Sequence, residues 1–169
     1  ATLINNVIAA SAEAGLTVIG GEAQAWHTTL ADNGAVGVWA QNSGQGPAHL
    51  AMTNTILAGP AVGARVIGHI EDPTTVQLTA TLWDNLTDTQ LVDAGGQVIR
   101  SRDFTGDPAF AGVGDYRLTA ASPARNRGLP AGVVFDILGV RRDPLPDLGA
   151  YEYDDPGSIR QVYLPLVWR

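Results

Sequence analysis

The feature that most constrains this chain is an internal repeat of short strand-like stretches. Four stretches match one another at spacings of 22, 26 and 26 residues, and they are Ile4–Ile8, Trp26–Leu30, Met52–Ile56 and Leu78–Leu82. Apolar and polar residues alternate within each stretch, which is the period of a β-strand and not of a helix. Because so short a strand pair cannot bury its apolar face alone, the repeat predicts stacked coils that share one core.

Equivalent positions in the four stretches form columns of residues. One column contains Ile4, Trp26, Met52 and Leu78, a second contains Ile8, Leu30, Ile56 and Leu82, and a third between them contains Asn6, Thr28, Asn54 and Ala80. We therefore predict an all-β fold, a parallel β-helix of about four coils over residues 1–95, with the third column at a bend between strands. An ordinary β-sandwich also gives short strands at regular intervals and stays open as the alternative.

The repeat fades from about residue 95, and the composition changes there. Residues 95–156 hold six of the ten prolines and most of the Asp and Arg residues. A solenoid needs an atypical terminal unit to cover its last rung and the strand edges there. We predict that residues 96–156 form a C-terminal cap on the β-helix, and that residues 157–169 form a packed strand or plug.

The charge balance limits the partners. All ten basic residues are Arg, seventeen residues are acidic, and the net charge is -7. This balance argues against nucleic acid or an anionic membrane surface as the main partner. The chain contains no run of about 18 apolar residues, which is the length that would predict a membrane span. The chain has no Cys, which excludes disulfides, thiolate metal sites and Cys nucleophiles. Since it opens at Ala1 without a signal peptide, we expect a fragment or mature piece of something longer.

Five ordered motifs in residues 104–153 carry a resemblance to a known family. They are Gly106–Phe110 (GDPAF), Gly114–Leu118 (GDYRL), Ser122–Ala124 (SPA) with Gly128, Asp136–Gly139 (DILG) with Arg142, and Asp147–Glu152 (DLGAYE). This region resembles the C-terminal part of the choice-of-anchor Q proteins, bacterial surface proteins with right-handed parallel β-helix repeats. The stretch Leu50–Gly59 is similar to one of the family's coils. The chain departs from the family at Asn126, where Asp is usual.

The resemblance implies a right-handed β-helix that is secreted or displayed at a bacterial cell surface. Because the motifs lie in the predicted cap, we expect their residues to be structural. We expect Arg142 and Glu152 to form a partly buried ion pair inside the cap, with Asp107, Asp136 and Asp147 supporting its turns.

Acidic pairs are the first candidates for chemistry, because polysaccharide lyases and hydrolases use clustered carboxylates. The pairs are Glu71 with Asp72, Asp84 with Asp88, Asp103 with Asp107, and Asp154 with Asp155. None recurs in a shared column, so we predict no catalytic residue. The histidines His27, His49 and His69 also fall in different columns; we expect His27 and His49 to point outward, and no metal site. The sequence contains no Gly-x-Ser-x-Gly motif and no glycine-rich nucleotide-binding motif, and we expect no cofactor.

Tryptophan is the best candidate for ligand binding, since aromatic rings stack on sugar rings. We predict Trp26 in the core, and Trp39 and Trp83 as glycan-binding candidates because they lie at strand ends next to loops. The favoured function is the C-terminal end of a secreted or surface-displayed β-helix protein, structural or adhesive and monomeric, which contacts extracellular polysaccharide or cell-surface material. The alternatives are the C-terminal part of a polysaccharide lyase or glycoside hydrolase, and a glycan-binding module.

Overall fold

The computed structural model describes residues 1–155, and the predicted tail at 157–169 lies outside this range. The described residues form thirteen strands and no helix. In chain order the strands are β1 (Thr2–Ile4), β2 (Val7–Ala9), β3 (Ala14–Ile19), β4 (Gly21–Trp26), β5 (Thr29–Ala31), β6 (Val36–Gln41), β7 (Ala48–Ala58), β8 (Val62–Ile67), β9 (Thr74–Asp84), β10 (Thr87–Leu91), β11 (Gly96–Thr105), β12 (Phe110–Gly112) and β13 (Asp115–Leu118). Nothing in residues 1–155 is a helix that could cross a membrane.

The strands stack into a β-solenoid of about four turns. The larger sheet contains β1, β4, β7, β9 and β11 in that spatial order, and β2 and β5 extend it beside the second half of β7. The smaller sheet contains β3, β6, β8 and β10. Every pair in these two sheets is parallel, which confirms the β-helix and excludes a sandwich of antiparallel sheets. Strand β11 adds a rung after residue 95.

A column of left-handed residues turns the chain within the larger sheet. Asn5, His27, Asn54, Ala80 and Arg102 all have φ between 51° and 59°. Asparagine and histidine enter this region more readily than most residues with a Cβ atom. The bend column therefore lies one residue earlier than expected in the first two coils, at Asn5 and His27 instead of Asn6 and Thr28.

The observed strand register differs from two of the predicted columns. Met52 does lie opposite Leu78, as expected. However, Trp26 lies opposite Thr53, and Ala25 is the residue opposite Met52. Leu30 likewise lies opposite Leu57 and not Ile56. The second coil is one residue longer than the alignment of the four stretches assumes, and alternation alone cannot detect this because the left-handed residue breaks the period of two. Trp26 is partly buried, not a full member of the core.

The solenoid interior is a continuous apolar core. It contains Leu30, Leu50, Met52, Leu57, Leu78 and Trp83, together with smaller Ala and Val residues of the second sheet. Gly63 makes room for the largest of these, because a Cβ atom there would lie 2.7 Å from Cζ3 of Trp83. Of the two predicted apolar columns, Met52, Leu78 and Leu30 lie in this interior, whereas Ile56 and Leu82 face outward and Ile4 is exposed.

Residues 106–155, which we call the flanking segment, pack on the side of the solenoid. The outward-facing residues Ile56, Ala58 and Leu82 are buried in a second apolar cluster with Leu118 and Leu148. The segment begins beside the last rung and reaches the first one. Its Gly149 N–H donates to the Asn54 carbonyl, its Ala150 N–H donates to Oγ1 of Thr29 at 3.0 Å, and Arg142 donates to Oδ1 of Asn5 at 3.0 Å.

The cap predicted over residues 96–156 begins with a solenoid strand, β11, and the part of it that follows lies along the flank. Among residues 1–155, β10 pairs only with β8 and β11 pairs only with β9, so both outer edges stay unpaired. The segment lies along the flank because the outward positions of this face are apolar and need cover. Within the segment, β12 and β13 form an antiparallel pair, and β13 covers residues 115–118 of the GDYRL motif.

The two ends of the solenoid differ in chemistry. At the last rung, Arg100 follows Leu78 in its column and lies 4.3 Å from the Trp83 ring centre. Its guanidinium bonds Asp88 at 2.9 Å and Asp103 at 2.7 Å. We call these three residues the terminal charge cluster. At the first rung the inward residues are Leu3, Ile8 and Leu16, which are partly buried. The last rung therefore presents charged inward side chains, whereas the first rung presents apolar ones.

Candidate functional site

A buried ion pair lies at the centre of the flanking segment. Nη1 of Arg142 lies 2.9 Å from Oε2 of Glu152, and the two side chains are 2% and 3% exposed. The expected pair is therefore present. Glu152 also accepts hydrogen bonds from the Asp143 N–H at Oε1 and the Asp147 N–H at Oε2, both at 3.0 Å. Three hydrogen bonds from the protein itself therefore hold this carboxylate in place.

Two further carboxylates hold backbone around this pair. Asp136 accepts the Leu138 and Val140 N–H groups on Oδ1 and the Glu152 N–H on Oδ2. Asp147 accepts the Asn126 N–H at 2.7 Å and the Tyr153 N–H at 2.6 Å. Such bonds to backbone N–H groups fix a loop in the manner of turn and cap motifs. Arg142, Glu152, Asp136 and Asp147 thus form one buried ionic cluster.

Asp107, the fifth residue expected to support the cap, lies apart from this cluster. It is exposed and accepts the Ala109 N–H at 2.7 Å. Its geometry is that of a local turn where the chain leaves β11.

Burial dominates the electrostatics of the ionic cluster. Loss of hydration raises the pKa of Glu152, and the nearby Asp147 raises it further, while backbone bonds and Arg142 oppose this. Burial likewise raises the pKa of Asp147. It lowers the pKa of Arg142, against the pull of Glu152. Perturbed pKa values often mark catalytic sites. Here the charged groups bond one another and the surrounding backbone N–H groups, so burial and these contacts account for the shifted pKa values.

His27 is enclosed at the contact between solenoid and flanking segment, which corrects its expected outward position. It is 0% exposed, because the bend turns its side chain under the segment. Its Nε2 lies 2.9 Å from Nδ2 of Asn54. Asn54 in turn exchanges two 2.8 Å hydrogen bonds with the Leu129 backbone. Burial, with a smaller contribution from Arg142, lowers the pKa of His27 to about 3, so the ring is neutral near pH 7.

The structure brings some of the other titratable candidates near each other but in different pairs from those expected; Asp107, for example, adds to the effect of burial in raising the pKa of Asp84. His49 and His69 are both exposed, as expected for His49. Asp88 and Asp103 meet, but as partners of Arg100. Asp72 accepts a 3.2 Å hydrogen bond from Nδ2 of Asn42. In residues 1–155 no group of three or more His, Asp or Glu side chains is arranged to hold a metal ion.

Trp83 offers no stacking surface for a glycan, which corrects its candidacy. Its side chain is 0% exposed in the interior of the solenoid. The Nε1–H donates to Oδ1 of Asp103 at 3.1 Å, and Arg100 covers the ring. Trp83 ends the core because its strand position faces inward, and the sequence pattern at the end of β9 did not reveal that direction.

Trp39 lies instead on the outer face of the smaller sheet and is partly exposed. Its strand neighbours in the stack are Thr17 and Arg65, and the guanidinium of Arg65 lies 5.3 Å from the ring centre. Beside Trp39 is an open groove of about 470 Å³, lined by Ser11, Ala12, Glu13, Ala14, Thr17, Ile19, Trp39 and Gln41. Of the two tryptophan candidates, Trp39 is therefore the one that a ligand can reach.

A larger cleft of about 1000 Å³ opens on the flanking segment. Arg125 and Arg141 lie on its wall together with Asp143, and the buried Asp147 and Glu152 lie at its base. Arg125 is already engaged, since it donates to the Ala120 carbonyl at 2.6 Å and stacks 4.0 Å from the Tyr153 ring centre. Because both charge signs line this cleft, its electrostatics select no class of ligand.

Comparison with protein-family models, with curated proteins and with solved structures finds no significant match for this chain. The candidate sites thus stand on their own geometry. Sequence reasoning found the ion pair and Trp39, but it missed the terminal charge cluster and the His27–Asn54–Leu129 contact. The signals for these were an Arg in an inward column at Arg100 and the bend-favouring residues Asn5, His27 and Asn54 at matched positions.

Proposed function

We propose that this chain is the closing part of a β-helix protein that is secreted or displayed at a bacterial cell surface. Its role is structural or adhesive: it ends the stack of coils and supplies a rigid outer surface. The coils within residues 1–155 contribute no chemistry of their own.

The observation that carries this proposal is the difference between the two ends of the solenoid. The first rung presents Leu3, Ile8 and Leu16, and its outer strand edges pair with no other strand of residues 1–155, which suits a coil with apolar inward residues stacked on it. The last rung presents Arg100, Asp88 and Asp103 instead. Inward charges oppose further strand pairing at an edge, and polar terminal units keep repeat proteins soluble.

The bacterial surface location and the choice-of-anchor Q relationship rest on the five motifs in residues 104–153. In support of a structural role, the motif residues Asp136, Arg142, Asp147 and Glu152 are those of the buried ionic cluster. The flanking segment that they organise is bonded to the bend column from Asn5 to Asn54.

The closing role is tested by adding a coil ahead of the first rung. A copy of residues 21–47, joined before Ala1, should raise the urea midpoint of unfolding and reduce binding of an apolar dye. The matched control carries Asp at the copied positions of Ala25, Leu30 and Val38, and it should do neither. Equal stability of the two extended chains would contradict the proposal, because the first rung would then not select an apolar coil.

The location is tested on intact cells of the source organism. An antibody raised against the purified chain should label unbroken cells or the culture medium, and external protease should remove the cell-bound signal. Labelling that requires cell lysis would contradict a surface or secreted location.

A further inference from the structure

We infer that the groove beside Trp39 is a binding site for a neutral saccharide. This inference goes beyond the closing role and does not depend on it, since a solenoid can end its stack without binding any ligand. It rests on the position of one tryptophan, on the residues around it and on the size of the groove.

The tryptophan is presented from a rigid element. Trp39 belongs to β6, which is paired on both sides, with β3 and with β8. Its ring lies on the outer face, with Arg65 at 5.3 Å on the side of the third coil. On the side of the first coil its neighbour is the smaller Thr17. The difference in size between Thr17 and Trp39 leaves the groove open along the ring.

The groove combines the two kinds of surface that a sugar requires. Trp39 and Ile19, which is 59% exposed, form an apolar floor for the C–H face of a pyranose ring. Ser11, Glu13 and Gln41 supply hydroxyl, carboxylate and amide groups at its rim, where they can bond sugar hydroxyls. A volume of about 470 Å³ lies in the range of small-molecule sites.

Charge favours a neutral ligand. Among residues 1–155, Glu13 is the one titratable side chain that lines the groove, and the whole chain carries a net charge of -7. A uronic acid polymer would be repelled by both. Arg65 lies behind the ring and its Nε donates to Oε1 of Gln90 at 2.7 Å, so it is held away from the groove.

The experiment uses the full chain and ligand-observed NMR with a panel of short oligosaccharides. The panel contains the neutral cello-, xylo-, manno- and galacto-series, with oligogalacturonate as the acidic comparison. We expect at least one neutral series to bind. Trp39→Ala should weaken that binding by about tenfold or more, whereas Trp39→Phe should retain most of it.

Two further variants separate binding from folding. Glu13→Ala changes an exposed rim residue and should weaken binding without moving the urea midpoint. Thr87→Ala, exposed on the same sheet, outside the groove and not bonded to Arg65, should leave binding unchanged. The inference is overturned if no neutral series binds, if oligogalacturonate binds more tightly than all of them, or if a folded Trp39→Ala or Glu13→Ala protein binds as well as the parent.

Discussion

At the scale of single residues, the left-handed bend column decides how the solenoid meets the flanking segment. Each coil places one residue there, and the residue type determines what the position can do. Asn54 bonds the Leu129 backbone, Asn5 accepts from Arg142, and His27 is enclosed between them. The polar groups of a bend are thus used to attach a second layer of chain.

The buried His27 makes stability depend on pH. Its pKa is about 3 in the folded chain and 6.5 in a freely hydrated histidine, so between these values the unfolded chain binds a proton that the folded chain does not. The free energy of unfolding should therefore fall as the pH drops from about 6.5, by up to about 1.4 kcal/mol per unit. Glu152 and Asp147 act in the opposite sense. Because folding raises their pKa values, the folded chain binds these protons more tightly than the unfolded chain, and this contribution to the free energy of unfolding is lost as the pH rises.

A comparison of the parent with His27→Asn isolates the histidine. Asn already occupies this column at Asn5 and Asn54, so the backbone conformation is retained. Urea unfolding at pH 7.5 and pH 5 should show a smaller loss of stability on acidification for the variant. The same loss in both proteins would mean that His27 is not buried in its neutral form.

Arg102 lies in the same left-handed bend column, but at the exposed last rung. It is exposed and has φ of 56°, a conformation that costs about 1 kcal/mol or more for a residue with a long side chain. Arg102→Asn should raise the free energy of unfolding by about 0.5–1 kcal/mol. Gln97→Asn, at an exposed site on the same strand, is the control and should not raise the free energy of unfolding. If Arg102→Asn lowered that free energy in urea titration, Arg102 would not be strained.

At the scale of elements, the stacking of β7 on β9 carries the centre of the core. Met52 and Leu78 are opposite each other, and both are at most 1% exposed. Leu78→Ala should therefore lower the free energy of unfolding by about 2–5 kcal/mol, through lost burial and the cavity left behind. Gln77→Ala, exposed on the same strand, is the control. A Leu78→Ala effect within about 0.5 kcal/mol, the level of a surface change, would refute the core assignment.

The same elements explain what the sequence could and could not predict. The alternation around Met52 and Leu78 revealed the coils because inward residues recur at one period. The registers of Trp26 and Leu30 were wrong by one residue, since a single left-handed position shifts the phase without changing the composition. The Arg142–Glu152 pair was predicted from its motifs, but its place on the flank was not, because no local pattern records which surface a segment covers.

At the scale of the whole molecule, the flanking segment joins the last rung to the first. Its anchor is the buried Arg142–Glu152 pair. Removing one partner of a buried pair leaves the other charge buried and unpaired. Glu152→Ala should lower the free energy of unfolding by about 3–5 kcal/mol and make residues 106–155 sensitive to protease. Asp115→Ala removes the exposed partner of Arg117 and should change neither property. Unchanged proteolysis of Glu152→Ala would contradict an anchoring role.

The central claim is that the terminal charge cluster ends the stack of coils, and sedimentation velocity of a variant without these charges tests it most directly. Arg100→Leu continues the Leu78 column, Asp103→Thr repeats the Thr81 opposite it, and Asp88→Ala removes the third charge. Because the cluster then contributes no inward charge, parallel rungs can join end to end without closing. Arg102→Leu, on the same strand as Arg100 but at the exposed bend, is the control. The account predicts that the triple variant forms assemblies that grow with concentration, while the parent and Arg102→Leu remain small. A parent that grows in the same way, or a folded triple variant that sediments like the parent, would contradict it.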